Sequence, residues 1–323
     1  MGTPMTRLVL VLSFVLAAAS SFAGERYALI VTGASGGDDY ARKYDTLRVS
    51  FVSTLKEKFG FDQPHLSVLA DHESAGVLLA TRANVQRVLS DLRQRMTKDD
   101  LLFVLLIGHG TSANGEDAKF NLVGPDLSAS EWSDLLKPLP GRLVFVDTSG
   151  ASFPFMQKLA GRSRVVLTAT DSAAQQFETV FPEFFIKAFH DPAADLDKNG
   201  RVSLWEAFSY ASAGVRQWFD QHGQLPTERP LLDDDGDGIG REAQNPGSDG
   251  ALARAVYLEP DAASAGDGAA TLTALQKAKA DLERKIDELK ARKSTMASDA
   301  YEAELERLLL ELARVSQQIR TKS

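Results

Sequence analysis

A chain of 323 residues exceeds one ordinary domain, and its 44% hydrophobic share is enough to build a sizeable core, so a disordered or fibrous chain is excluded. A formal net charge of -8 argues against a nucleic-acid binder. The absence of cysteine excludes disulfides, thiolate metal sites, a lipid-modified N-terminal Cys and a cysteine nucleophile.

In chain order, residues 1–23 carry Arg7, an apolar run from Leu8 to Ala19, and the small-x-small triplet Ser21-Phe22-Ala23. These are the parts of a secretory signal peptide cleaved before Gly24, and about 12 apolar residues are too few for a comfortable membrane anchor. The expected mature chain is therefore exported, periplasmic or extracellular, with no later membrane span. Arg26 to Thr32 reads as a strand, followed by the Gly-rich turn Gly33 to Asp39 and a helix marked by Leu47, Phe51, Val52, Leu55 and Phe59. His65 to Ala70 is a second strand, and Val85, Val88, Leu89, Leu92 and Met96 mark a second helix.

Two apolar runs follow, Leu101 to Ile107 ending in Gly108-His109-Gly110, and Arg142 to Val146 ending in Asp147-Thr148-Ser149-Gly150. Each reads as a buried strand of a parallel sheet, and chemistry in such sheets gathers beyond the carboxyl ends of the strands. His109 and Ser149 are the candidate dyad. Taken singly, the His also fits a hydrogen-bonded corner, and the Ser fits a turn that caps the next helix. Between the runs, Ser128-Ala129-Ser130-Glu131 is a capping box for a helix with Trp132, Leu135 and Leu136. A helix from about Phe153, a strand from Arg164 to Thr170 and a helix from Pro182 to Phe189 complete an α/β alternation that implies a mainly parallel sheet flanked by helices.

The run Ala28 to Gly37 superficially resembles the opening of a short-chain dehydrogenase. The last glycine of that pattern falls on Asp39, which would face the phosphates with a second carboxylate, and no Tyr-x-x-x-Lys pair follows. A dinucleotide site is not expected.

From Asp195 to Glu206 the spacing fits the calcium loop of an EF-hand: Asp195, Asp197 and Asn199 at positions 1, 3 and 5, Gly200 at the bend, Arg201 at 7, Ser203 at 9 and Glu206 at 12. Asp233, Asp235 and Asp237 repeat the first three positions, but Gln244 stands at position 12 and no helical pattern follows, so the second loop is irregular. Calcium is the expected cofactor, structural in role and drawn from a millimolar extracellular supply. Ala253 to Leu258 reads as a last strand and 259–270 as a small-residue linker. In 271–323, Leu275, Ala278, Leu282, Ile286 and Leu289 form one stripe; Tyr301, Leu305, Leu308, Leu312, Val315 and Ile319 form another, the pattern of an α-helical coiled-coil hairpin. It can fold on its own chain, join a homo-oligomer mate, or take a partner helix.

The order of parts over 26–257 resembles the caspase-like fold, and within it the legumain family of secreted cysteine peptidases. Gly108-His109-Gly110 matches that family's His-Gly pair, and Ser149 stands where its Cys ends the next core strand; Gly33, Gly36, Tyr40 and Asp45 also match by residue type. The resemblance implies that Asp39 falls where an Asn orients the His, that Asp147 falls on an acidic residue of the specificity pocket, and that Val165 to Ser172 lies beside that pocket. Ala41 replaces the basic pocket residue, with Arg42 adjacent. A serine hydroxyl, unlike a thiol, has no thiolate reserve near neutral pH and needs a well-held base. The leading expectation is a pseudopeptidase acting in recognition of a peptide or protein segment or in scaffolding. An active hydrolase using Ser149, His109 and Asp39 is the alternative, and a coiled-coil oligomerisation module with a calcium-stabilised head the third.

Overall fold

Leu101–Ile107 (β4) sends Phe103, Leu105 and Ile107 into one apolar layer and Leu102, Val104 and Leu106 into the other. A strand buried on both faces has no polar face to show water, which is why the run is continuous rather than alternating. It pairs in parallel with Arg26–Thr32 (β1) on one side and Arg142–Asp147 (β8) on the other. With Leu66–Ala70 (β2), Leu78–Leu79 (β3), Arg164–Thr168 (β9) and Leu231–Asp233 (β10), they form a seven-stranded sheet among the described residues, in the order β10-β9-β8-β4-β1-β2-β3. β10 runs antiparallel to β9, and the other pairs of this sheet are parallel. The computed structural model describes residues 24–113, 117–260 and 296–320, together with 275, 278, 279, 282, 283, 285, 286, 289, 290 and 293. The expected signal peptide and most of the linker lie outside the described residues.

One face of the sheet is covered by Asp38–Ser53 (α1), extended by a π-helical turn Thr54–Lys58, and by Phe181–Ala188 (α5) and Leu204–Gln221 (α6), which contribute Phe51, Phe185 and Phe208 to the core. The other face is covered by Arg82–Arg95 (α2), Ala129–Leu136 (α3) and Phe153–Leu159 (α4), contributing Leu89, Trp132 and Phe155. The fold is mixed α/β with a mostly parallel central sheet flanked by helices, as the sequence pattern implies. The capping box of α3 is present: the Ser128 N–H donates to Glu131 Oε2 at 2.9 Å, and the Glu131 N–H donates to Ser128 Oγ at 3.3 Å.

The chain leaves β1 for β2 through α1 on one face, then returns through α2 on the opposite face to β4, on the other side of β1. The carboxyl ends of β1 and β4 therefore part at a switch point, where open α/β sheets place their sites. His109 leaves β4 there. It leads into a small antiparallel sheet of Gly110–Thr111 (β5), Lys119–Phe120 (β6) and Leu127–Ser128 (β7).

The strand expected at Ala253 to Leu258 is instead a short helix, Ala251–Ala255 (α7), followed by an isolated bridge between Tyr257 and Ser203. Its start is capped from outside the segment, since the Asp234 carboxylate accepts from the Gly250 and Ala253 N–H groups at 2.8 and 2.7 Å. Such a cap satisfies N–H groups that a helix start would otherwise leave unpaired. Ser298–Arg320 (α8) packs Tyr301, Leu305, Leu308, Leu312 and Val315 against Leu282, Ile286 and Leu289, so the two stripes meet within one chain. Among the described residues no helix is long and apolar enough to cross a membrane.

Candidate functional site

His109 and Ser149 leave the neighbouring strands β4 and β8, but their side chains are engaged elsewhere. His109 Nε2 lies 3.1 Å from the Ser35 carbonyl, and the Tyr44 hydroxyl stands over the ring edge, 3.3 Å from Nε2 and 3.4 Å from Nδ1. Its ring stands edge-on to Tyr40 and Tyr44, with centroids 4.6 and 5.5 Å away. Burial pushes the Tyr44 hydroxyl above its ordinary range, so it remains a donor. Ser149 is fully buried, and its Oγ–H donates to Asp147 Oδ1 at 2.6 Å, with the Gly150 carbonyl at 3.2 Å. The Ser149 N–H donates to the same Asp147 oxygen at 2.9 Å. The imidazole and the hydroxyl share no hydrogen bond in this arrangement.

What covers the serine is backbone. A Cβ added at Gly110 would lie 2.0 Å from the Gly150 carbonyl oxygen and 2.6 Å from Ser149 Oγ, and the backbone cannot yield to it cheaply. Gly110→Ala is accordingly expected to destabilise the chain by about 2 kcal/mol, as overpacking does. Urea unfolding checks this, and an unchanged midpoint would refute the close approach.

The remaining residues expected here are placed differently from the roles the resemblance implies. Asp39 is exposed and its carboxylate pairs with Arg42, one turn along α1; the partners of His109 are Ser35 and Tyr44 instead. The local pair wins because side chains three apart on a helix are neighbours. Arg42 is held by the same pair on the exposed side of α1. Asp147 is 0% exposed and turned onto Ser149, so it lines no surface that a substrate touches. Burial pushes its carboxyl up to about 6, although both Ser149 bonds pull the other way, and its second oxygen has no hydrogen-bond partner.

Tyr40 and Tyr44, four apart on α1, stack on one another beside His109, Tyr40 exposed and Tyr44 buried. Beside them Lys43 reaches Glu178 at 2.6 Å and Glu183 at 2.7 Å, joining α1 to the 171–180 loop and to α5. Burial works against the Lys43 ammonium, but the two carboxylates outweigh it and hold the group above the ordinary lysine range. The loop is fixed further where the Gln176 amide donates to the Ser112 carbonyl at 2.9 Å and where buried Glu228 accepts from the Val180 and Phe181 N–H groups at 2.7 and 3.1 Å. Phe177, on the same loop, stands 73% exposed.

The first acidic loop joins α5 to α6. One carboxylate oxygen from each of Asp195, Asp197 and Glu206 lies within 4.8 Å of the others. Buried Glu206 accepts from the Leu196 and Asp197 N–H groups at 2.9 and 3.2 Å, and with Ser203 it forms the capping box of α6. Burial, with Asp197 adding to it, raises the Glu206 carboxyl above its ordinary range. Asn199 donates its amide to Asp197, and the Arg201 N–H donates to Asn199 Oδ1 at 2.8 Å, while the Arg201 guanidinium lies over the Tyr257 ring and pairs with Glu259 at 3.1 Å. Hard oxygen donors converging in this way suit a calcium ion. Lys279, from the C-terminal segment but outside its apolar stripe, is buried with its ammonium on Asp197, a contact between distant segments that periodicity does not reveal. The second loop brings Asp233, Asp235 and Asp237 within the same 4.8 Å limit.

No family model and no curated protein matches this sequence. Among solved structures, a structural-genomics protein of Geobacter sulfurreducens is similar at a TM-score of 0.40 and 14% identity, over 65% of this chain and 92% of its own. Caspase-1 of Spodoptera frugiperda is similar at a TM-score of 0.40 and 8% identity, over 65% of this chain and 88% of its own. The likeness concerns the fold alone.

Proposed function

We propose that this chain is an exported, calcium-binding protein of the caspase and legumain type whose hydrolytic site is silent, and that it holds a peptide or protein segment rather than cutting it. The observation that carries this reading is the fully buried Ser149, whose hydroxyl is committed to Asp147 while His109 is committed to Ser35 and Tyr44. A general base has to be within hydrogen-bond reach of the proton it removes. Recognition is supported by what surrounds the pair, namely the exposed Tyr40, stacked on buried Tyr44, and the exposed Phe177 on a loop anchored by Lys43 and Glu228. Aromatic side chains on a rigid support are good anchors for a bound segment. The Asp195 to Glu206 loop would hold calcium through Asp195, Asp197, Asn199, the Arg201 carbonyl, Ser203 and Glu206, fixing the start of α6 behind the site.

The test is peptide-library hydrolysis and peptide capture by the mature protein in calcium, run beside Ser149→Ala and Tyr40→Ala. No turnover is expected from the wild type or from Ser149→Ala, together with capture of a peptide subset that Tyr40→Ala weakens about tenfold. Turnover that Ser149→Ala abolishes would overturn the silent-site reading, and capture of no peptide would overturn recognition.

A further inference from the structure

The two acidic loops share more than the spacing of their first three carboxylates. In the first, the Gly200 N–H donates to Asp195 Oδ2 at 2.9 Å, the Asn199 N–H to Asp197 Oδ1 at 3.0 Å, and the Arg201 N–H to Asn199 Oδ1 at 2.8 Å. The second repeats each bond at the equivalent position: Gly238 to Asp233 Oδ2 at 2.6 Å, Asp237 to Asp235 Oδ1 at 3.0 Å, and Ile239 to Asp237 Oδ1 at 2.6 Å. Both backbones are therefore wound in the same sense around their carboxylates.

The first loop is closed by Glu206, whose Oε1 accepts from the N–H groups at its second and third positions, Leu196 and Asp197. The second loop has Gln244 where such a glutamate would fall. Its own second and third N–H groups, on Asp234 and Asp235, donate instead to Asp249 Oδ1 at 2.9 and 3.3 Å. Asp249 is 3% exposed, and its Oδ2 is buried without a hydrogen-bond partner. A buried carboxylate oxygen left unpaired is costly unless a cation or proton meets it. The approach is built by its neighbours: the Asp249 N–H donates to the Pro246 carbonyl at 2.9 Å, the residue stands between Gly247 at φ 58° and Gly250 at φ 94°, and Ser248 reaches across to Asp235. Asp234, the residue between two would-be ligands, caps the helix that follows Asp249 and so ties the segment to the loop.

We propose that Asp249 is the closing carboxylate of a second calcium centre, with Asp233, Asp235 and Asp237, replacing the missing twelfth-position glutamate from outside the loop. This rests on the calcium reading of the first loop and extends it to a second ion with its own ligand set. Asp233, Asp235 and Asp237 offer oxygens within 4.8 Å of one another, and the Asp249 carboxylate adjoins them through the Asp234 and Asp235 N–H groups; hard anionic oxygens of this kind suit calcium over softer transition metals.

Calorimetric calcium titration of the full mature chain tests it. The wild type is expected to bind two ions, Glu206→Gln one, and Asp249→Asn one, with affinity at the second centre reduced on the order of 100-fold. The asparagine keeps an oxygen for the Asp234 and Asp235 N–H groups, so the turn survives. Two ions bound by Asp249→Asn with unchanged affinities would overturn the role of Asp249 while leaving the first-loop reading intact. A wild type that binds no calcium would overturn both. If Asp249→Asn does not fold, the carboxylate carbon signals of the wild type decide: that of Asp249 is expected to move with those of Asp233 and Asp235 on calcium addition, and an Asp249 signal that stays still overturns the assignment.

Discussion

Chelation of calcium is expected to lower the melting temperature of the mature chain by about 10 °C. The size follows from linkage: an ion present at about a thousand times its dissociation constant stabilises the folded state by about 4 kcal/mol, and in a chain of this length each kcal/mol moves the midpoint by about 2–4 °C. The structural route runs through Glu206. Its carboxylate closes the loop on Leu196 and Asp197 and caps α6 through Ser203, and α6 carries Leu204, Ala207, Phe208, Ala211 and Val215 into the core layer against α5. Without the ion, the Asp195, Asp197 and Glu206 oxygens repel one another at the head of that helix. Glu206→Gln should start from a lower midpoint and lose most of the response to chelator. Differential scanning calorimetry with and without chelator reads both effects, and a midpoint indifferent to chelator would sink the calcium reading altogether.

A second large effect is expected at Asp147, where Asp147→Asn should remove a component of pH-dependent stability worth on the order of 3 kcal/mol. Burial lifts this carboxyl to about 6, so the folded chain binds its proton more tightly than the unfolded chain does. The sign follows directly. The contribution is fully present at pH values below the ordinary aspartate range, declines as pH rises through 4 and 5, and is gone above about 6. Ionisation at higher pH leaves a fully buried charge whose second oxygen has no hydrogen-bond partner. The asparagine keeps an oxygen acceptor for the Ser149 hydroxyl and N–H and carries no charge at any pH. Urea midpoints of the two chains, measured from pH 4 to 7, should therefore draw apart, with the wild type losing ground to the asparagine variant as pH rises. Taking the difference cancels the other titrating carboxylates, including Glu228, which burial pushes up to about 7. Parallel curves would show that Asp147 titrates alike in both states.

What could be read from the sequence was whatever depended on neighbours along the chain. The continuous apolar runs at Leu101 to Ile107 and Arg142 to Val146 declared strands buried on both faces, and the Ser128–Glu131 box declared a helix start. The features that escaped depend on residues brought together by folding. Ala253 to Val256 looks like a strand by composition, yet Asp234 caps its first turn and makes a helix of it. Asp39 carried a family position, but on a helix its nearest partner is Arg42, and the ring of His109 is instead steadied by Tyr44 and the Ser35 carbonyl. The same limit applies to Lys279, 82 residues away in sequence from the Asp197 it pairs with. No spacing rule connects such residues.

The second acidic loop also has a consequence for how the molecule keeps to itself. β10 is the last strand at one end of the large sheet, and its Leu231 and Leu232 would make an adhesive border if their outer backbone groups were bare. They are not, because the chain turns back after Asp233 and Arg241 exchanges both backbone hydrogen bonds with Leu232, at 2.9 and 2.8 Å. The turn is thus a hem sewn along the sheet: while it holds its shape, another chain cannot add a strand there, and where it loosens, self-association through that border becomes open to the protein.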